Sequence, residues 1–152
     1  MKKIKEAKKV VFVAMANLRH LRLVEKVLRS LNYEVAVFYM SEVLFNRLEN
    51  YPLPELIIIG QELDRDMGCV KFFHKLEMLR IVKSPPILVF CYFSASAALA
   101  RAIGRVDKFQ VVTVNLESRG ISRKIVKRVV QKILKNNGTN NADDLDKQKE
   151  GE

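Results

Sequence analysis

The chain has 152 residues, 27 Lys and Arg against 17 Asp and Glu, and a formal net charge of +10. That length suits one ordinary domain, and a composition 49% hydrophobic and 29% charged is that of a folded globular chain. No apolar run reaches the ~18 residues of a membrane span, no cleavable leader pattern follows the basic N-terminus, and Cys69 and Cys91 stand in no metal or redox spacing, so a reducing cytoplasmic setting is expected.

Val10-Val11-Phe12-Val13-Ala14 is a short unbroken apolar run, the pattern of a strand covered on both faces. Asn17 is placed to cap a helix carrying Leu18, Leu21, Val24, Val27, Leu28 and Leu31 on one stripe. Residues 33–40 predict the next strand. Ser41 is placed to cap a short helix with Val43, Leu44 and Leu48, ended by Tyr51-Pro52-Leu53-Pro54. Leu56-Ile57-Ile58-Ile59 predicts a third buried strand stopped at Gly60. Residues 61–67 read as a polar loop before a helix with Val70, Phe73, Leu76 and Leu79. Pro85-Pro86 opens a strand over 87–92, and Ser94 starts an alanine-rich helix ending near Gly104. Residues 109–114 predict a fifth strand and 121–134 a fifth helix.

Such strand–helix alternation, with right-handed crossovers, puts helices on both faces of a parallel sheet; the expected fold class is a doubly wound α/β domain. Residues 1–8 form a basic N-terminal extension, 9–135 the domain, and 136–152 an acidic tail with a net charge of −3. The tail has one large apolar residue, Leu145, and is expected to be disordered. Residues 1–135 therefore carry +13.

Tyr33-Glu34-Val35 after the first helix, Leu53-Pro54-Glu55-Leu56-Ile57-Ile58-Ile59, the Asp66-Met67-Gly68 turn and Pro86-Ile87-Leu88-Val89-Phe90 together resemble the response-regulator receiver (CheY-like) family over about residues 9–135. The resemblance implies a flavodoxin-like topology of five parallel strands and five helices. It also implies phosphoryl transfer from phosphohistidine to an aspartate ending the third strand. An acidic pair after the first strand holds Mg²⁺, a Thr or Ser ends the fourth strand, and a Lys ends the fifth. Carboxylates there hold the cation, while Lys and Mg²⁺ neutralise the transferred group. Carried onto this chain, the phosphoacceptor position falls on Gly60, the acidic pair on Met15 and Ala16, and the hydroxyl position on Cys91. No Lys lies between Lys108 and Lys124. The chain thus resembles a degenerate pseudo-receiver: not an enzyme, and without a cofactor.

Glu62, Asp64 and Asp66 follow the third strand, where they could ligate a hard cation or act as solvated loop acids near a helix N-terminus. No metal site is expected, because Met15 and Ala16 add no charge to that edge. His20 and His74 have no second ligand at metal spacing, and Cys91 has no neighbouring His or Asp to activate it. Neither G-x-G-x-x-G nor G-x-x-x-x-G-K-[ST] occurs, so no phosphate-cradling loop is expected.

The last helix sets Ile121, Ile125, Val126, Val129, Val130, Ile133 and Leu134 against Arg123, Lys124, Lys127, Arg128, Lys132 and Lys135. That cationic face is either solvated or a dock for an acidic protein or nucleic acid. The fourth helix carries Ala95, Ala97, Ala98, Ala100 and Ala102, little bulk to keep a neighbour away. The resemblance implies that the fourth helix, fifth strand and fifth helix form a dimer or target face, with Tyr92 and Phe93 as aromatic anchors. The expected function is a phosphorylation-independent protein-interaction module in bacterial signalling or motility regulation, with a protein partner or a second copy. The alternative is a basic nucleic-acid-associated regulator using the cationic last helix.

Overall fold

Unbroken runs of β-branched residues set the centre of this molecule, and polar-faced helices return the chain across it on alternate sides. The computed structural model describes residues 8–81, 85–92, 96–106, 109–116 and 120–138. The extension before Lys8, Phe93, Ser94, Ala95 and the tail beyond 138 lie outside them.

Strands β1 (Val10–Ala14), β2 (Glu34–Val37) and β3 (Leu56–Gly60) alternate with helices α1 (Leu18–Ser30) and α2 (Ser41–Asn50). A short hairpin follows, β4 (Glu62–Asp64) with β5 (Met67–Gly68), and then α3 (Cys69–Glu77). Strand β6 (Ile87–Cys91), α4 (Ser96–Gly104), β7 (Val111–Asn115) and α5 (Arg123–Gly138) complete the domain. The main sheet runs β2-β1-β3-β6-β7, with every neighbouring pair parallel. That is the doubly wound order expected, with the switch of winding direction between β1 and β3.

Central β3 and β6 are buried throughout, as unbroken apolar strands must be. The sheet divides the core in two. On one side α1 and α5 supply Leu21, Val24, Leu28, Val126, Val130 and Ile133. On the other, α2, α3 and α4 bring Phe45, Phe72, Phe73, Leu76, Leu99 and Ala102 against Phe12, Ile57 and Ile59. Phe45 stacks on Phe72 at 5.3 Å between ring centres, and Phe72 meets Phe73 edge-on at 5.4 Å.

Asn17 caps α1 as its position predicts, its Oδ1 accepting from the His20 N–H at 3.1 Å. Asn32, in the left-handed region at φ 69°, turns the chain out of α1, a conformation asparagine tolerates better than most residues. Three local expectations are corrected. Residues 61–67 are not only loop: they build the hairpin, anchored by Leu63 at 2% exposure. Ser41 is the first residue of α2 and not its cap, a position taken by Met40, whose side chain makes no capping hydrogen bond. Leu18 and Val43 leave the buried stripes, at 52% and 49% exposure.

Candidate functional site

Parallel doubly wound sheets gather ligands beyond the C-terminal ends of their strands. At that edge Met15, 3% exposed, follows β1 and lies beside Gly60, the last residue of β3. A β-carbon on Gly60 would stand 3.4 Å from Met15 Cε, 3.5 Å from Met15 Cβ and 3.4 Å from the Glu62 carbonyl oxygen. The thioether side chain therefore fills the space in front of the position to which the phosphoacceptor maps. Two hydrogen bonds stitch this corner together. The Ala16 N–H donates to the Glu62 carbonyl at 2.8 Å. The Tyr92 N–H donates to Gln61 Oε1, also at 2.8 Å, tying the end of β6 to the chain leaving β3.

A cavity of about 210 Å³ opens beside them, lined by Met15, Ala16, Asn17, His20, Gly60, Gln61, Glu62, Phe90, Tyr92 and Leu116. No Asp, Lys or Arg is among these lining residues, and Leu116 follows the strand at whose end the resemblance implies a Lys. Partial burial and the nearby positive charge of Arg19 hold the His20 imidazole below its ordinary pKa, so it is neutral at neutral pH. The structure thus brings Met15, Ala16, Gly60 and Tyr92 together. Cys91 does not join them. Phe90 and Tyr92 turn toward the α1 and α5 side, and Cys91 between them belongs to the opposite core. Burial raises the thiols of both Cys91 and Cys69, the latter to about 11, with mutual repulsion adding to it, so neither is a ready nucleophile.

The three acids after β3 separate. Asp64 Oδ2 accepts from the Ser41 N–H at 2.6 Å and Oδ1 from the Asp66 N–H at 2.9 Å. It supplies from the hairpin the N-terminal cap that Met40 lacks. Partial burial raises the Asp64 pKa, but hydrogen bonds from Ser41, Asp66 and Met67 outweigh that and leave it below the ordinary value. Glu62 and Asp66 are exposed. Among the described residues no three His, Cys, Asp or Glu side chains are grouped to hold a metal ion.

The interaction residues fall on different surfaces. Arg123, Lys124, Lys127 and Arg128 are exposed on α5, and Ala98 is exposed on α4. Ala102, at 1% exposure, packs into the core and offers nothing to a partner, and Tyr92 is half-buried at the cavity. The sequence reading missed Gln61 as a strap and Asp64 as a distant cap. It also missed a group of exposed apolar side chains where β2 leads into the first turn of α2: Tyr39 at 66%, Met40 at 58% and Val43 at 49%.

No protein-family profile and no curated relative matches the sequence. Solved structures of the same fold include response-regulator receiver domains. A phosphorylated cyanobacterial phytochrome response regulator superposes with a TM-score of 0.67 at 16% identity, over 84% of this chain and 95% of that one. The receiver domain of a Pseudomonas aeruginosa sensor histidine kinase, with magnesium coordinated in its active-site cleft, gives 0.65 at 13% identity over 84% and 98%. A response regulator from Chloroflexus aurantiacus gives 0.63 at 19% identity over 84% and 98%. At these identities the likeness is one of fold, and it agrees with the α/β, five-stranded parallel architecture described above.

Proposed function

We propose that this chain is a receiver-like module that works without phosphorylation and without catalysis, by binding another protein in a signalling or motility system. The observation that carries the reading is the Met15 side chain packed 3.4 Å from where a Gly60 β-carbon would stand. The corner that would hold a phosphorylated carboxylate and its cation is occupied by a thioether. The candidate docking face is α4 with β7 and the adjoining flank of α5. There β7 is an edge strand with one side unpaired in the sheet, and Ala97, Ala98 and Ala100 leave α4 thin and exposed. A second copy of the chain is one partner this face would suit.

The test is a thermal melt with Mg²⁺ and beryllofluoride, a phosphoryl mimic. A working site saturated to about 100 times its Kd gains ~2.7 kcal/mol, or roughly 5–10 °C for a domain of this size. The expected result is no shift, and a rise of that size overturns the reading.

A further inference from the structure

The positive charge of the helices is concentrated on one side of the sheet. Helix α1 has four bases, Arg19, Arg22, Lys26 and Arg29, against one acid, Glu25; α5 has six bases and no acid. Together the two helices hold +9. Helices α2, α3 and α4, on the other side, have four bases and three acids between them, a net of +1. All ten basic side chains of α1 and α5 are exposed. Arg29 pairs with Glu25 at 2.9 Å, the only ion pair among the described residues, so the other nine bases have no carboxylate partner there.

Helices α1 and α5 touch one another and share one core, so their solvent faces look the same way, outward from the sheet. On α1 the four bases recur at intervals of three, four and three residues, a single row about 15 Å long. Lys124, Arg128 and Lys132, four residues apart, make a second row on α5, the helix packed beside α1. A membrane surface would call for apolar side chains among the bases, to insert below the headgroups. Here the large apolar residues of both helices turn inward, except Leu18 at the very start of α1. An acidic protein partner, or a single strand, would call for aromatic anchors or stacking platforms, and neither helix carries one. A duplex backbone needs only cations in rows. With one phosphate per ~3.4 Å of axis on each strand, the length of this row spans about four phosphates of either strand.

We propose that the α1 and α5 layer is a docking surface for the phosphodiester backbone of a nucleic acid duplex, held without sequence readout. This stands apart from the reading of the Met15 corner, and neither depends on the other. The full chain is titrated into a labelled mixed-sequence duplex of about 30 base pairs and followed by anisotropy from ~50 to ~300 mM KCl. Binding is expected with a log–log salt slope of about −4.5 or steeper, corresponding to roughly five or more phosphate contacts. R22E/K26E on α1 and K124E/R128E on α5 should each weaken it at least about tenfold and flatten the slope by about two. R101E/R105E, near the end of α4, should stay within about twofold of wild type and serves as the control. The neutral R22Q/K26Q pair, checked by melting, gives the same direction of effect if charge reversal disturbs folding. No binding at ~50 mM salt overturns the proposal, as does wild-type affinity in both α1 variants. Tighter binding to phosphatidylserine vesicles, or to single-stranded oligothymidine, overturns it as well.

Discussion

Replacing Met15 with Ala removes Cγ, Sδ and Cε from a side chain that is 3% exposed. In a sealed core such a truncation costs about 2–5 kcal/mol, part from lost transfer free energy and part from the void. Here the missing atoms border a 210 Å³ cavity, so the gap opens to water and the transfer part dominates. Three methylene-sized groups at ~0.8 kcal/mol each give about 2 kcal/mol, or a melting temperature lower by roughly 4–8 °C. Gly60→Ala alone should be near neutral. Its new methyl would meet Met15 and the Glu62 carbonyl at 3.4–3.5 Å, ordinary contact distances, and the backbone at Gly60 is not in the left-handed region. Restricting the unfolded chain offers a gain of about 0.4–1 kcal/mol against any small adjustment. In the double variant the added methyl backfills the space Met15 vacates, so the two effects should couple favourably by ~0.5–1 kcal/mol. Urea and thermal unfolding followed by circular dichroism measure the cycle. If Met15→Ala melts within about 1 °C of wild type, or the two changes simply add, Met15 does not fill the space before Gly60.

Asp64→Ala removes the distant cap of α2 and should cost about 1–2 kcal/mol at neutral pH. Because the folded-state pKa of Asp64 lies below its ordinary 3.8, the stabilisation is present above that value and fades as pH falls through the folded pKa. Melts across pH should show the gap to wild type closing in acid, and a gap constant with pH removes this account. Gln61→Ala leaves the Tyr92 N–H without its acceptor, costing about 1–2 kcal/mol, and hydrogen exchange at the Tyr92 amide should quicken more than at Phe90. With both thiols buried and raised, Cys69 to about 11, native protein at mildly alkaline pH should react slowly with a disulfide reagent and quickly in urea. Prompt reaction of both in the native state contradicts their placement.

The strands were legible because their burial is two-sided: Val10–Ala14 and Leu56–Gly60 need no alternation to be recognised, only an apolar run bounded by polar residues. The corner was legible too, since Met15, Ala16 and Gly60 do meet where the order of strands puts them. What escaped was non-local. Asp64 caps a helix 23 residues earlier, a relation no local spacing displays. The hairpin strands of three and two residues are too short to print a period. Cys91 aligned by count with a hydroxyl position, yet strict alternation along β6 sends it to the other face from Phe90. Tyr39 and Met40 looked like strand because they are apolar, but pairing with β1 ends at Val37.

The Gln61 amide that holds the end of β6 has a bearing on how much information such a module conveys. A switch needs two arrangements and a ligand that prefers one of them. On the proposed reading, Met15 against Gly60 and Gln61 clasping the neighbouring strand leave a phosphoryl group no carboxylate to act through. Under the proposed reading a partner therefore meets one arrangement at all times. The quantity that varies is the number of copies, and occupancy follows concentration relative to Kd. On that reading control rests on synthesis and turnover, and the response is graded in concentration.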